Sequence, residues 1–208
     1  MNDTEQVADS PPALVLASAS PYRRALLARL GLPFTPVAAN IDESIPPGEP
    51  PADAVMRLAR AKAAAVLADH PGALVIGSDQ LAVRGDEILG KPGNAARAAQ
   101  QLKLSAGREV EFLTGVSVLS GTRPGAHEEH MDITRVVFRP LTPAEISSYV
   151  ERDQPLDCAG SFRAEGLGIA LFERIDSQDP TGLIGLPLIW LSQALHRLGM
   201  PVLQVPRP

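Results

Sequence analysis

Short apolar runs suited to buried strands alternate along the chain with stretches whose apolar positions recur at helical spacing. The first run, Ala13 to Ala17, is followed by Ser20 as an N-cap, Pro21 at the first helical position, an apolar stripe of Leu26, Leu27 and Leu30, and Gly31 as a stop. This predicts a strand, a turn and a helix in succession. Residues 33–39 look extended, 42–51 form a Pro-rich acidic loop without period, and a second helix is expected over 51–70. The run 73–77 predicts another buried strand, ending at Ser78-Asp79-Gln80, and 81–83 with 87–89 flank Arg84-Gly85-Asp86 as a hairpin. Asn94 caps a third helix to about residue 104, closed by Gly107. Residues 109–119 and 128–138 are strand-like and separated by the turn-rich 121–125, which predicts an antiparallel pair. Thr142-Pro143-Ala144-Glu145 holds a cap, a proline and the glutamate of a capping box, so a helix follows to about 152. A glycine-punctuated loop spans 160–168, 169–172 reads as a strand, and 186–198 as a C-terminal helix ended by Gly199. Strands and helices without strict alternation or internal repeat predict an α/β fold with a mixed sheet.

Composition narrows this to one globular domain. A chain of 208 residues can bury one sizeable core, and its 17 glycines and 20 prolines stay below the roughly one quarter that marks low-complexity disorder. With 19 Lys and Arg against 24 Asp and Glu, the net charge of −5 repels a nucleic-acid backbone, so any phosphate site must be local. The single cysteine, Cys158, forms no internal disulfide and no zinc or redox pair, which points to a reducing compartment. Residues 1–12 carry Asp3, Glu5 and Asp9 without a basic or apolar signal region, and no apolar run approaches the ~20 residues of a membrane span. The expectation is a cytoplasmic protein with a disordered segment over 1–12 and a folded domain over 13–203.

Four places offer chemistry. Ser18, Ser20, Arg23 and Arg24 follow a strand and open a helix, where free N–H groups and the positive dipole end seat an anion; the plainer reading is a cap beside solvated arginines. Lys62 falls inside the apolar stripe of Val55, Leu58, Ala59 and Val66, so it either snorkels to water or meets an anion. Asp79 lies just past a buried strand, where α/β sheets place ligand crevices, and is otherwise a turn aspartate. Gly85 to Lys91 mimics the start of a P-loop, but Pro92 replaces the Ser or Thr that holds magnesium, and a hairpin precedes it; Lys91 remains a cation on a rigid corner or a surface lysine. His127 and His130 fall on opposite faces of a strand and read as solvent residues, and Cys158 reads as a small packed side chain.

Taken together, Leu16-Ala17-Ser18-Ala19-Ser20-Pro21-Tyr22-Arg23-Arg24, Asp42-Glu43, Arg57-Leu58-Ala59-Arg60-Ala61-Lys62-Ala63, Gly77-Ser78-Asp79-Gln80, Gly90-Lys91-Pro92 and Gly185-Leu186-Pro187-Leu188 resemble the Maf-like nucleoside triphosphate pyrophosphatases. The resemblance runs in order over 13–203. It implies a single domain whose mixed, twisted sheet has two lobes flanking a nucleotide-binding cleft. It also implies hydrolysis of a nucleoside triphosphate between the α and β phosphates with a divalent metal, Mg2+ or Mn2+, and removal of non-standard nucleotides. By resemblance Asp79 is the catalytic proton acceptor, Glu43 its acidic partner for substrate and metal, and Ser18, Arg23, Lys62 and Lys91 bind the triphosphate. Phosphoryl transfer needs charge neutralisation and an in-line water more than covalent help, which suits that set.

Substrate choice in the family tracks positions that here are Tyr22, Gln80 and Glu165, a combination resembling the 7-methyl-GTP branch, with Tyr22 standing where that branch carries Trp. The dTTP and UTP branch carries Arg, Thr and Gln there. N7 methylation makes guanine cationic, an aromatic face attracts a cation, and a carboxylate accepts the guanine N1–H and amine. The alternatives are a dTTP/UTP-type enzyme and a non-catalytic nucleotide-binding regulator of septum formation. The resemblance further implies a homodimer, while the net charge and the lack of a spanning apolar run lead us to expect neither nucleic acid nor membrane as partner.

Overall fold

In the computed structural model, which describes residues 12–204, the run Ala13–Ala17 forms strand β1 and leads into helix α1 (Pro21–Ala28). The remaining strands are β2 (Thr35–Pro36), β3 (Ala73–Arg84), β4 (Glu87–Leu89), β5 (Glu109–Ser120), β6 (His127–Phe138) and β7 (Phe172–Asp176). They make one mixed sheet in the order β2-β1-β3-β5-β6-β7, with β4 also on β3. β2, β1 and β3 run parallel, and every later pairing is antiparallel. Helices α2 (Pro51–Leu67), α3 (Ala95–Ser105), α4 (Pro143–Asp153) and α5 (Leu188–Arg197) complete an α/β fold. The disordered start expected over 1–12 lies outside the described residues except for Pro12. No helix among the described residues is long and apolar enough to cross a membrane.

Side-chain alternation divides the sheet's two faces. On one face Leu74, Ile76, Val116 and Val118 pack under α1 and α5, while Ala82, Val110, Phe112, Val136 and Phe138 pack with Ile146 and Val150 of α4 and Leu102 of α3. Ser78, Gln80 and Thr114 fall between these two cores, and their polar groups bond the carbonyls of Gly182, Leu183 and Gly185, which fill the seam. On the other face α2 lies almost backbone to backbone on the sheet. A Cβ on Gly77 would stand 2.1 Å from the Ala59 carbonyl oxygen, and one on Gly115 2.8 Å from that of Val55.

The two lobes follow from strand lengths. β1 pairs with β3 only as far as Ala17 opposite Gly77, and β4 takes up the same edge of β3 only from Leu89 opposite Ala82. Residues 78–81 of β3 therefore border a gap, with β1 and α1 on one side and β4 on the other. This corrects the reading of 73–77 as a strand that stops before Asp79: β3 is continuous over twelve residues, and the crevice exists because its neighbour stops.

The other departures are local. Residues 167–171 form a 3-10 turn rather than the start of a strand, because Gly168 packs against the Arg163 carbonyl, where a Cβ would come within 2.3 Å, and β7 begins at Phe172. α2 ends at Leu67 rather than near 70, α5 begins at Leu188, and only Thr35–Pro36 of the extended 33–39 stretch joins the sheet. His130 is not a solvent residue but stacks on Trp190 at 5.1 Å, whereas His127 is exposed.

Candidate active site

The gap in the β3 edge opens into a cavity of about 500 Å³, lined by Ser18, Tyr22, Arg23, Glu43, Lys62 and Asp79, and by Gln80, Lys91 and Glu165. These candidate residues share one hollow although they come from six separate stretches of chain, whereas Arg24, the other arginine of the first turn, is exposed and does not line it.

The first turn of α1 forms one wall. Ser18 Oγ accepts from the Ser20 N–H at 3.1 Å, and Ser20 Oγ caps the helix by accepting from the Arg23 N–H at 3.3 Å. Arg23 Nε donates to the Gly185 carbonyl at 2.9 Å, sharing that oxygen with Ser78 Oγ. This bond fixes the guanidinium plane while its two Nη nitrogens have no partner among the described residues. Desolvation draws the Arg23 pKa below its usual value, and the charges of Asp79 and Glu43 oppose that shift.

The floor is an ion-pair triad. Close seating of α2 on Gly77 lets Lys62 reach Asp79, with Nζ donating to Oδ1 at 2.7 Å and lying 3.0 Å from Glu43 Oε1. Lys62 and Asp79 are each 7% exposed, so the lysine in the apolar stripe meets an anion instead of snorkelling. No protein donor among the described residues meets Asp79 Oδ2. The Glu43 side chain is 57% exposed and rides on a clasped loop. Asp42 Oδ1 and Oδ2 accept from the Ser44 N–H and hydroxyl at 2.9 and 3.0 Å, and these bonds hold the Asp42 carboxyl below the usual range. Arg57 of α2 donates to the Ser44 carbonyl at 3.1 Å and grips Glu49 with two bonds of 2.7 Å.

Lys91 enters from the far side. It is exposed and follows β4, so its corner points into the gap that β4 leaves open. The remaining wall is the loop after α4, which brings Cys158, Arg163 and Glu165 to the cavity. Tyr22, half-buried, faces this loop, with the Cys158 thiol 3.9 Å from its hydroxyl. Cys158 is half-buried at the cavity wall rather than packed in a core, and burial first, and Asp157 second, push its thiol up to about 12. Gln80 Nε2 is occupied by Thr114 Oγ1 and the carbonyls of Gly182 and Leu183 at 2.9 to 3.0 Å, so this amide group anchors the seam segment.

Arg163, Asp157 and Arg57 were not singled out as site residues from the sequence. Arg163 donates to Asp153 Oδ1 at 3.3 Å, and its backbone N–H donates to the hydroxyl of Tyr149, which donates to Asp153 Oδ2. This ring of bonds pins the loop two residues before Glu165. Among the described residues no cluster of three or more His, Cys, Asp or Glu forms a metal cage. The oxygen donors available to a divalent cation are the carboxylates of Asp79 and Glu43, a set that fits a hard ion completed by phosphate oxygens.

A model of the Maf-like proteins matches residues 13–198. The chain belongs to the Maf-like family. Among its curated relatives, the 7-methyl-GTP pyrophosphatase of Nitrosococcus oceani is 52% identical over 194 residues, 93% of this chain and 97% of that protein. The enzyme of the same name from Alkalilimnicola ehrlichii is 52% identical over 197 residues, covering 95% and 98%. That of Bordetella pertussis is 51% identical over 191 residues, covering 91% and 94%. In this Maf-like chain the matched span includes every cavity residue named above.

Proposed function

We propose that this protein is a nucleoside triphosphate pyrophosphatase that hydrolyses 7-methyl-GTP to the monophosphate and pyrophosphate. The observation that carries the reading is one cavity holding two clusters. Lys62 binds Asp79 and Glu43 with Arg23 beside them, Tyr22, Asp157 and Glu165 lie around Cys158 together with Arg163, and Lys91 lines the same hollow. A triphosphate matches the first cluster, and a cationic base beside a tyrosine and carboxylates matches the second. The names of the relatives at 51–52% identity support the same substrate.

In this reading Arg23 Nη and Lys91 bind phosphate oxygens, and the first turn of α1 with Ser18 supplies further donors. Lys62, holding Asp79 Oδ1 at 2.7 Å, leaves Oδ2 to accept a proton from water. That water attacks the α-phosphorus. Its oxygen stays on the monophosphate, and the α–β bridging oxygen leaves with pyrophosphate, its charge met by the cations. Glu43 and Asp79 would hold a magnesium or manganese ion, which when bound neutralises phosphate charge.

Pyrophosphate release from 7-methyl-GTP, GTP, dTTP and UTP with magnesium tests the reading. It predicts that 7-methyl-GTP gives the highest kcat/KM. A preference for dTTP or UTP, or binding without turnover, contradicts it. The reading extends to a homodimer acting on free nucleotides in the cytoplasm, with neither nucleic acid nor membrane as partner, and the mass in solution by light scattering checks the dimer.

A further inference from the structure

Two segments that border different stretches of the cavity meet through one side chain outside it. Gln101 stands on α3, and its Nε2 donates at 3.1 Å to the carbonyl of Gly90, in the corner that carries Lys91. Its Oε1 accepts from the hydroxyl of Ser161, in the loop that carries Glu165. The backbone carbonyl of Gln101 is itself held, accepting from Arg84 Nη1 at 3.3 Å and Ser105 Oγ at 2.9 Å. The same two segments are tied once more where the Gly93 N–H donates to the Leu156 carbonyl at 2.9 Å.

Ser161 shows what the bridge works against. It is fully buried and has φ of 64°, a left-handed backbone that a non-glycine residue keeps only where its surroundings over-determine it. Among the described residues its hydroxyl bonds Gln101 alone. A serine in that conformation, clasped by an amide that reaches the opposite segment, is built to hold the loop in one place.

We infer that Gln101 is a positioning residue that couples the Lys91 corner to the Glu165 loop, so that both ends of a bound nucleotide are gripped as one unit. The nucleotide part of this inference rests on the proposed function; the coupling rests on the geometry alone.

Hydrogen–deuterium exchange of the free protein over peptides 88–93 and 156–165 tests the coupling. Gln101→Leu removes both bonds and should speed exchange in both segments by about tenfold, the worth of roughly one hydrogen bond. Gln101→Glu keeps an acceptor for Ser161 but loses the donor to Gly90, so it should speed exchange in 88–93 alone. It also carries the test if Gln101→Leu does not fold. The ratio of kcat/KM for 7-methyl-GTP to that for GTP should fall about threefold to tenfold in Gln101→Leu, whereas simple loss of folded protein scales both rates alike. Unchanged exchange in either segment of Gln101→Leu, exchange in Gln101→Glu that rises in both segments or in neither, or a wild-type ratio despite faster exchange, overturns the inference. If the wild type turns over neither nucleotide, the proposed function fails while exchange still decides the coupling.

Discussion

Asp79 and Lys62 each explain why the other can be buried. In the proposed mechanism Asp79→Asn removes the proton acceptor but leaves a side chain that still accepts from Lys62, so the fold should persist while kcat falls at least ~100-fold, the scale of general-base loss. Near-normal kcat in the folded variant would remove Asp79 from the mechanism. Lys62→Met leaves Asp79 without its cation and should lower the thermal midpoint by several degrees. Adding Asp79→Asn to that variant should recover most of the loss, and differential scanning calorimetry of the three variants checks the cycle. Arg57 acts at one remove, through the loop that presents Glu43. The side chains of Arg57 and Glu49 are 41% and 17% exposed, so the pair adds little to stability. Arg57→Ala should therefore lower kcat/KM several-fold at a nearly unchanged midpoint, measured on 7-methyl-GTP. At this scale the sequence exposes Lys62 as a misfit in an apolar stripe, but its partner lies seventeen residues away and no spacing rule joins them. Glu43, Gln80 and Glu165 are found only by resemblance to relatives. Arg57 and Gln101 bond partners scattered along the chain, Ser44 and Glu49 for one and Gly90 and Ser161 for the other, at spacings that leave no motif.

Among the elements, the capping box of α4 was legible because all its parts lie within four residues. Thr142 Oγ1 accepts from the Glu145 N–H, and the Glu145 carboxylate accepts from the Thr142 N–H and hydroxyl. The Thr142 backbone N–H first, then its hydroxyl and Arg139, hold the Glu145 carboxyl down at about 2. A depressed carboxyl adds stability that is fully present above its unfolded value of 4.5 and disappears as pH falls through about 2. Thr142→Ala should lower the thermal midpoint at pH 7 by about 2–4 °C, and by progressively less between pH 4.5 and 2. A cost independent of pH over that range would contradict this origin. The continuity of β3 was illegible, since Ser78-Asp79-Gln80 interrupts its apolar run with polar residues. They are tolerated because a seam segment satisfies one face and Lys62 the other, contacts that form only in the folded chain. Backbone seating of α2 has its own test. Gly77→Ala must push the helix off the sheet, because the obstruction is the Ala59 carbonyl rather than a flexible side chain, and should lower the midpoint by roughly 4 °C or more.

Across the whole molecule, a chain of net charge −5 leaves four residues of one strand edge uncovered and gathers Arg23, Lys62 and Lys91 in the cavity there, which in the proposed function keeps phosphate binding local. In the proposed function the phosphates lie in the gap left where β1 and β4 stop, and the base lies against the loop after α4, where Asp157 and Glu165 stand beside Arg163. Glu165→Gln removes one charge from that loop and should reduce the preference for 7-methyl-GTP over GTP without changing the order of the remaining nucleotides, read as kcat/KM across the panel. The fold class and the strand–turn–helix opening were legible from the pattern; the gap was not, because pairing of β1 and β4 to one edge of β3 is a long-range outcome. In the proposed function water cuts the triphosphate at its α-phosphorus within this gap. Hydrolysis of 7-methyl-GTP in 18O-water, with products resolved by mass spectrometry, tests it most directly. One 18O atom in the monophosphate and none in the released pyrophosphate is the predicted result, whereas label in pyrophosphate, or release of orthophosphate instead, contradicts the account.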